Sequence, residues 1–226
     1  MRSKRATRIS ADPPPDEGQG PKRRLRNVED APPDGHRTHI RRRILPSRTL
    51  VLHQQPDPPP SHSAEEFAER LPLEATSRVL EVGPGSGYFS VEIARRVPDG
   101  HLELFDLQPE MLAKARRHLE AAGLGNVGYT QGDATALPFP DSDFDVAFLV
   151  AVLGEVPDEA ACLQSLYRVL RPGGVVVFHE HLPDPDFSPL PKLREAVEAR
   201  GFVFRGSWGR RWNYTASFQK PEGKPI

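Results

Sequence analysis

The 226-residue chain is predicted to fold as an α/β protein: a seven-stranded, mostly parallel sheet with helices on both faces and an antiparallel C-terminal strand. Three observations predict it. From residue 61 onward, short apolar runs alternate with longer segments of helical periodicity, the pattern of strand–helix–strand units. The run Phe144–Val152 is apolar almost without a break, as a strand covered on both faces must be. Polar and glycine residues suited to ligand binding follow the first four apolar runs, and so gather on the carboxyl edge of a parallel sheet, where such folds bind ligands.

Taken in order, a helix begins at Ala64 and runs to about Leu71, and Arg78–Val82 is a buried strand. Tyr88–Val97 is a helix and His101–Leu107 (HLELFDL) a second strand. Pro109–Ala122 is a helix with proline in its first turn and Gly123 as its stop. Val127–Asp133 is a third strand and Phe144–Val152 a fourth. The helix Asp158–Leu170 breaks at Arg171-Pro172-Gly173-Gly174, and Val175–His181 is the fifth strand. Leu190–Arg200 is the last helix, ended by Gly201. Phe202–Trp208 and Tyr214–Gln219 then pair as an antiparallel hairpin that completes the sheet.

The most informative stretch is Val79–Ser90, VLEVGPGSGYFS. Gly83, Gly85 and Gly87 let the chain turn with positive φ and leave bare backbone against which a ligand can lie. The helix that follows points free N–H groups at an anionic group. The spacing G-x-G-x-G differs from the dinucleotide fingerprint G-x-G-x-x-G. No Lys-Ser or Lys-Thr pair follows, which excludes a triphosphate P-loop. Asp106 stands 23 residues after Gly83, near the end of the second strand, where an acid accepts hydrogen bonds from ribose hydroxyls; capping the next helix is its structural alternative. Asp133 follows the third strand, placed to accept from an exocyclic amine or to serve as an ordinary loop aspartate.

Together these residues resemble the class I S-adenosylmethionine-dependent methyltransferases, and within them the branch that contains the ubiquinone and menaquinone C-methyltransferases. The resemblance runs from about Ala64 to Leu182 and rests on EVGPGSG (Glu81–Gly87), FDLQPEML (Phe105–Leu112), GDATALPFPDSDFDVAF (Gly132–Phe148) and LRPGGVVVFHE (Leu170–Glu180). It implies a Rossmann-like fold and S-adenosyl-L-methionine as methyl donor. It implies that Gly83, Pro84, Gly85 and Gly87 hold the methionine part, with Glu81 helping to receive its amino group. Asp106 would bind the ribose, Leu107 would pack on the adenine, and Asp133 with Ala134 would meet the adenine amine. Leu149 and Val150 would wall the methyl-donor end. Where many relatives carry histidine in a His-Glu-Val triplet, this chain has Gly154-Glu155-Val156, which removes one candidate general base.

Composition divides the chain. Residues 1–60 hold 13 Lys+Arg against 7 Asp+Glu and 11 of the 25 prolines, whereas the remainder has 17 against 24. The first sixty residues are expected to form a disordered or polyproline-like tail, and 61–226 the methyltransferase domain. Basic clusters at Lys22–Arg26 and Arg41–Arg43 read as a solvated tail; without interleaved aromatics they argue weakly for a single-stranded nucleic acid, although nucleic acid is not excluded. The more apolar Ile40–Leu52 is a candidate to dock on the domain and cover the site. The single cysteine, Cys162, rules out an intramolecular disulfide and a cysteine-based metal site, and its helical position reads as a buried thiol. No apolar run is long enough for a membrane span and no signal-peptide core follows the start, so a soluble cytoplasmic protein is expected, with no metal.

The acceptor is the least determined element. A small organic molecule fits the resemblance best, and protein or RNA acceptors stay open. Glu155, His179, Glu180 and His181 are candidate bases near the expected rim. Trp208, Trp212 and Tyr214 either line an acceptor pocket or cap the terminal hairpin. Two other classes are kept: a nicotinamide-dependent oxidoreductase, disfavoured by the glycine spacing, and a non-catalytic protein that retains the cleft for binding.

Overall fold

The computed structural model describes residues 63–223. The expected 1–60 tail, including docking of Ile40–Leu52, lies outside the described residues. Five helices and seven strands follow one another as α1 (Ala64–Ala68), β1 (Arg78–Val82), α2 (Tyr88–Arg96), β2 (His101–Asp106), α3 (Pro109–Ala121), β3 (Val127–Gln131), β4 (Phe144–Val150), α4 (Glu159–Val169), β5 (Leu170–His181), α5 (Leu190–Glu198), β6 (Val203–Arg210) and β7 (Asn213–Gln219). The helix starts follow local chemistry. Ser63 accepts from the Glu66 amide at 3.0 Å and Asp158 from the Ala161 amide at 2.9 Å, so each caps orphan N–H groups. Gly123 and Gly201 stop α3 and α5 at φ 72° and 92°, a backbone region that favours glycine.

The strands form one sheet in the order β3-β2-β1-β4-β5-β7-β6. The β1–β2, β1–β4, β2–β3 and β4–β5 pairs are parallel, and β7 runs antiparallel to both β5 and β6. The predicted hairpin is therefore present, with its second strand inserted between β5 and the edge strand β6. Burial explains the choice: β7 is buried from Tyr214 to Phe218 while β6 is mostly exposed. Strand β5 differs from expectation at its start. The Arg171–Gly174 segment belongs to the strand, because Leu170 pairs with Phe144 and the backbone of Gly173 and Gly174 exchanges hydrogen bonds with Lys220. It forms a bulge inside β5 rather than a turn before it.

Alternation along the strands sorts apolar residues to two cores. Val79, Leu102, Leu104, Val146, Phe148 and Val177 pack under α1, α2 and α3. Leu80, Val82, Phe105, Leu149, Val176 and Phe178 pack against α4 and α5 on the opposite face. This period-two division is what a strand buried on both sides requires.

Candidate functional site

The turn after β1 has the backbone its glycines permit. Gly83, Gly85 and Gly87 adopt φ of 72°, 55° and 82°, which only glycine enters without strain. The turn is tied to its neighbours: the Gly83 amide donates to the Phe105 carbonyl at 2.8 Å, and the Gly132 amide to the Asp106 carbonyl at 3.0 Å. The ends of β1, β2 and β3 are thus held level on one edge. Gly87 is the residue before α2, and a Cβ there would meet Leu119 Cδ1 at 3.0 Å and the Ala115 Cα at 3.2 Å. Helix α3 therefore packs directly on the glycine turn. Pro84 is buried within it, and Gly83 and Gly85 are half-buried.

Two acids stand close to this turn in contrasting states. Glu81 is 2% exposed, and its Oε2 accepts from the Ser90 hydroxyl at 2.5 Å. Burial, opposed by that hydrogen bond and reinforced by the charge of Asp106, pushes its pKa up to about 8. Asp106 is half-buried at the end of β2, and its Oδ1 accepts from the Gln108 amide at 2.8 Å. Burial raises its pKa against the hydrogen bonds from the Gln108 and Leu107 amides. Leu107, next along, is 56% exposed, an apolar surface just beyond the end of β2. The Gln108 Oε1 is buried and has no hydrogen-bond partner among the described residues.

Asp133 is exposed and caps the short 3-10 turn Ala134–Ala136; its Oδ1 accepts from both the amide and the hydroxyl of Thr135 at 2.8 Å. Those bonds hold its carboxyl below the usual range. Ala134, half-buried, follows it on the same edge. The capping reading of Asp133 is thus realised through one oxygen, and none of the hydrogen bonds among the described residues uses the other.

At the end of β4 the arrangement departs from expectation. Leu149 is 1% exposed and lies in the core beneath α4 and α5, so its side chain faces away from the cleft edge. Val150 is half-buried against the other core. The residue that abuts the glycine turn is Val152, whose Cγ2 would lie 2.4 Å from a Cβ on Gly83. It is reached through Ala151, a buried non-glycine residue at φ 53°. Such a backbone costs about 1–3 kcal/mol and gathers at functional sites. The position of this segment after β4 places it on the ligand-binding edge, but the strained φ of Ala151 and the contact of Val152 have no local signature in Val-Ala-Val.

The candidate bases separate by burial. His179 is 3% exposed, with Nδ1 3.0 Å from the Thr215 hydroxyl and its ring against Phe67 and Phe89. Glu180 is 2% exposed; its Oε2 accepts from the Ser188 amide at 3.1 Å, and burial pushes its pKa up to about 7. Both are inside the protein rather than on its rim. His181 is half-buried and Glu155 exposed. Gly154, where the resemblance anticipates histidine, has the Asp186 carbonyl 2.1 Å from the position of a Cβ. The segment after β5 occupies the room a side chain would need.

Residues 79–174 match the family model described as a methyltransferase domain, which spans the glycine turn, both cleft acids and β4. Over this segment the chain is similar to methyltransferase domains. The ubiquinone/menaquinone biosynthesis C-methyltransferase UbiE of Pasteurella multocida is 38% identical to it over 133 residues, covering 53% of this chain and 50% of that relative. The same-named protein of Vibrio vulnificus is 40% identical over 121 residues, 53% of this chain and 46% of its own length. The chain spans about half the length of these relatives. A SAM-dependent methyltransferase from Aquifex aeolicus superposes with a TM-score of 0.65 at 20% identity, over 70% of this chain and 89% of that one, a likeness of fold. The sheet carries Glu81, the glycine turn, Asp106 and Asp133 on one edge, and the structure brings Gln108, Ser90 and Val152 beside them.

Proposed function

We propose that the methyltransferase domain binds S-adenosyl-L-methionine along the ends of β1, β2 and β3 and transfers its methyl group to a small-molecule acceptor. The observation that carries this reading is the convergence on one sheet edge of three positive-φ glycines, Asp106 and Asp133. The buried, unpartnered Gln108 Oε1 and the exposed Leu107 suit a ligand that brings both a donor and an apolar ring. In this reading Asp106 accepts from the ribose hydroxyls, Leu107 packs on the adenine, and Asp133 with Ala134 meets the adenine amine. Gly83, Pro84, Gly85 and Gly87 hold the methionine part, with Glu81 beneath them facing its ammonium. Val150 and Val152 wall the far end, Leu149 supplying backbone alone.

When bound, the cofactor supplies an electrophilic methyl group on a sulfonium. What remains for the chain is alignment and exclusion of water; orientation by itself contributes about 7–11 kcal/mol in favourable systems. No base is assigned, since His179 and Glu180 are enclosed and a base is needed only when the acceptor sheds a proton. The acceptor is read as a small molecule by analogy with the named relatives. Residues 61–226 are taken as the catalytic domain and the cytoplasm as its place; no described helix is long and apolar enough to cross a membrane.

Calorimetric titration with S-adenosylmethionine and S-adenosylhomocysteine, with nicotinamide dinucleotides as controls, tests the reading. Binding of the sulfur pair alone is expected, and Asp106→Ala should weaken it by about 1.5–3 kcal/mol, the scale of hydrogen bonds to a charged group. Binding of a nicotinamide dinucleotide instead would overturn it. Unchanged affinity in a folded Asp106→Ala protein would remove the ribose role.

A further inference from the structure

The sheet edge that carries the glycine turn also carries a second concavity, reached by crossing β5 and β7. It is an open groove of about 960 Å³, framed by the segment after β5 and the β6–β7 hairpin. Its walls are apolar. Tyr214 is buried, Phe187 and Leu190 are half-buried, and Leu182, Trp208 and Trp212 are 53%, 43% and 44% exposed. None of the cofactor candidates lines it.

The frame is fixed by hydrogen bonds that serve no ligand. The Leu182 amide donates to the Trp212 carbonyl at 2.8 Å, tying the segment to the hairpin turn. The Tyr214 hydroxyl donates to the Ser188 carbonyl at 2.6 Å while Glu180 accepts from the Ser188 amide. The same segment reaches the cofactor side, because the Asp186 carbonyl packs on Gly154 just after β4. One piece of backbone therefore joins the end of β4 to the groove.

Charge makes the groove selective. Arg210 and Arg211 line it and flank Trp212, their guanidinium carbons 5.9 and 5.5 Å from the ring. No carboxylate lines the groove, and neither arginine forms an ion pair among the described residues. Two guanidinium groups held beside an apolar wall are matched by an anion attached to an apolar body, since a fork of donors pairs carboxylate or phosphate oxygens. Strand spacing sets the reach: β7 and β6 lie two and three strands from β4, roughly 10–14 Å away.

We propose that this groove is the acceptor subsite and takes an elongated anionic amphiphile, its apolar body against Phe187, Leu190, Trp208 and Trp212 and its anionic end paired with Arg210 and Arg211. The assignment rests on the methyl-transfer reading and names the class of substrate for it. An acceptor of this kind lies along the segment after β5, with the atom to be methylated near Gly154 and its charged end at the hairpin.

The test uses the full chain and a fluorescent probe, anilinonaphthalene sulfonate, displaced by dodecanoate or by dodecanol. Dodecanoate is expected to bind more tightly than dodecanol. The Arg210→Gln/Arg211→Gln protein should lose roughly tenfold or more in dodecanoate affinity, the scale of lost hydrogen bonds to charge, with dodecanol affinity changed by less than about twofold. Trp212→Ala should weaken both. Equal affinity for the two ligands, or for dodecanoate in wild type and double variant, overturns the proposal. So does binding confined to phosphatidylglycerol vesicles with none to the monomeric probe, which would make the groove a lipid-surface contact. Titration of S-adenosylmethionine into the same samples separates the two claims. Its failure in wild type with dodecanoate still bound refutes methyl transfer and with it the acceptor assignment; normal cofactor binding without dodecanoate binding refutes the subsite alone.

Discussion

Replacing Glu81 by glutamine should make the folded protein more stable and its cofactor binding weaker. In the folded chain this carboxyl has a pKa near 8, against an ordinary value of 4.5. The native state therefore keeps a proton that the unfolded chain has released throughout that interval. The contribution of this carboxyl to stability is greatest below pH 4.5, falls as pH rises toward 8, and levels off above it. At about 1.4 kcal/mol per pH unit, the cost accumulated by pH 7 is about 3 kcal/mol, an upper figure because water entering around the carboxylate would lessen it. A glutamine has the same shape, keeps a hydrogen bond to Ser90 and has no proton to lose. Denaturant unfolding of both proteins between pH 5 and 8 measures the effect. The variant should gain little at pH 5 and about 3 kcal/mol at pH 7, while Glu180 and Asp106, also raised by burial, contribute a slope common to both. Parallel stability profiles would refute the buried-carboxyl reasoning. In the same variant, S-adenosylmethionine should bind less tightly, because glutamine, unlike the carboxyl, cannot ionise in answer to its ammonium.

Two further outcomes follow from packing. Gly87→Ala forces a side chain into φ 82° and against Leu119 and Ala115; the left-handed backbone alone costs about 1–2 kcal/mol. Thermal unfolding should show that loss, whereas Gly125→Ala, with nothing within 4 Å of the added Cβ, should stay within about 0.5 kcal/mol of wild type. Cys162 is fully enclosed, and burial with nearby Asp133 and Glu159 pushes its pKa up to about 12. A thiol reagent should leave it unmodified in the native protein and label it at the rate of unfolding; fast labelling without unfolding would contradict its burial.

The elements of the fold were largely legible because their signals are local. Strand β1 has the predicted bounds, and α2, β2 and α3 end within a residue of expectation, since hydrophobic period and capping chemistry are written in neighbouring residues. The glycine turn was legible for the same reason: positive φ at Gly83, Gly85 and Gly87 is a property glycine itself permits. So was the alignment of Asp106 and Asp133 with it, because in alternating strand–helix units every βα turn falls on one edge.

What required the tertiary structure was whatever depends on which neighbour a residue meets. The Arg171–Gly174 segment reads as a turn until Lys220 supplies its hydrogen-bond partners across the sheet. Leu149 and Val152 are both apolar residues around the end of β4, and strand alternation plus the strained Ala151 decide that the first enters the core and the second abuts the cleft. His179 and Glu180 look alike in sequence as polar residues at a strand end, yet packing by Phe67 and Phe89 encloses one and the segment carrying Ser188 encloses the other. The sequence by itself determined the order of elements, the glycine turn and the edge on which the acids gather, because backbone preference and side-chain periodicity act over a few residues. Only the tertiary structure decided which of those groups are solvated, protonated or enclosed, because desolvation and contact are set by residues tens of positions away.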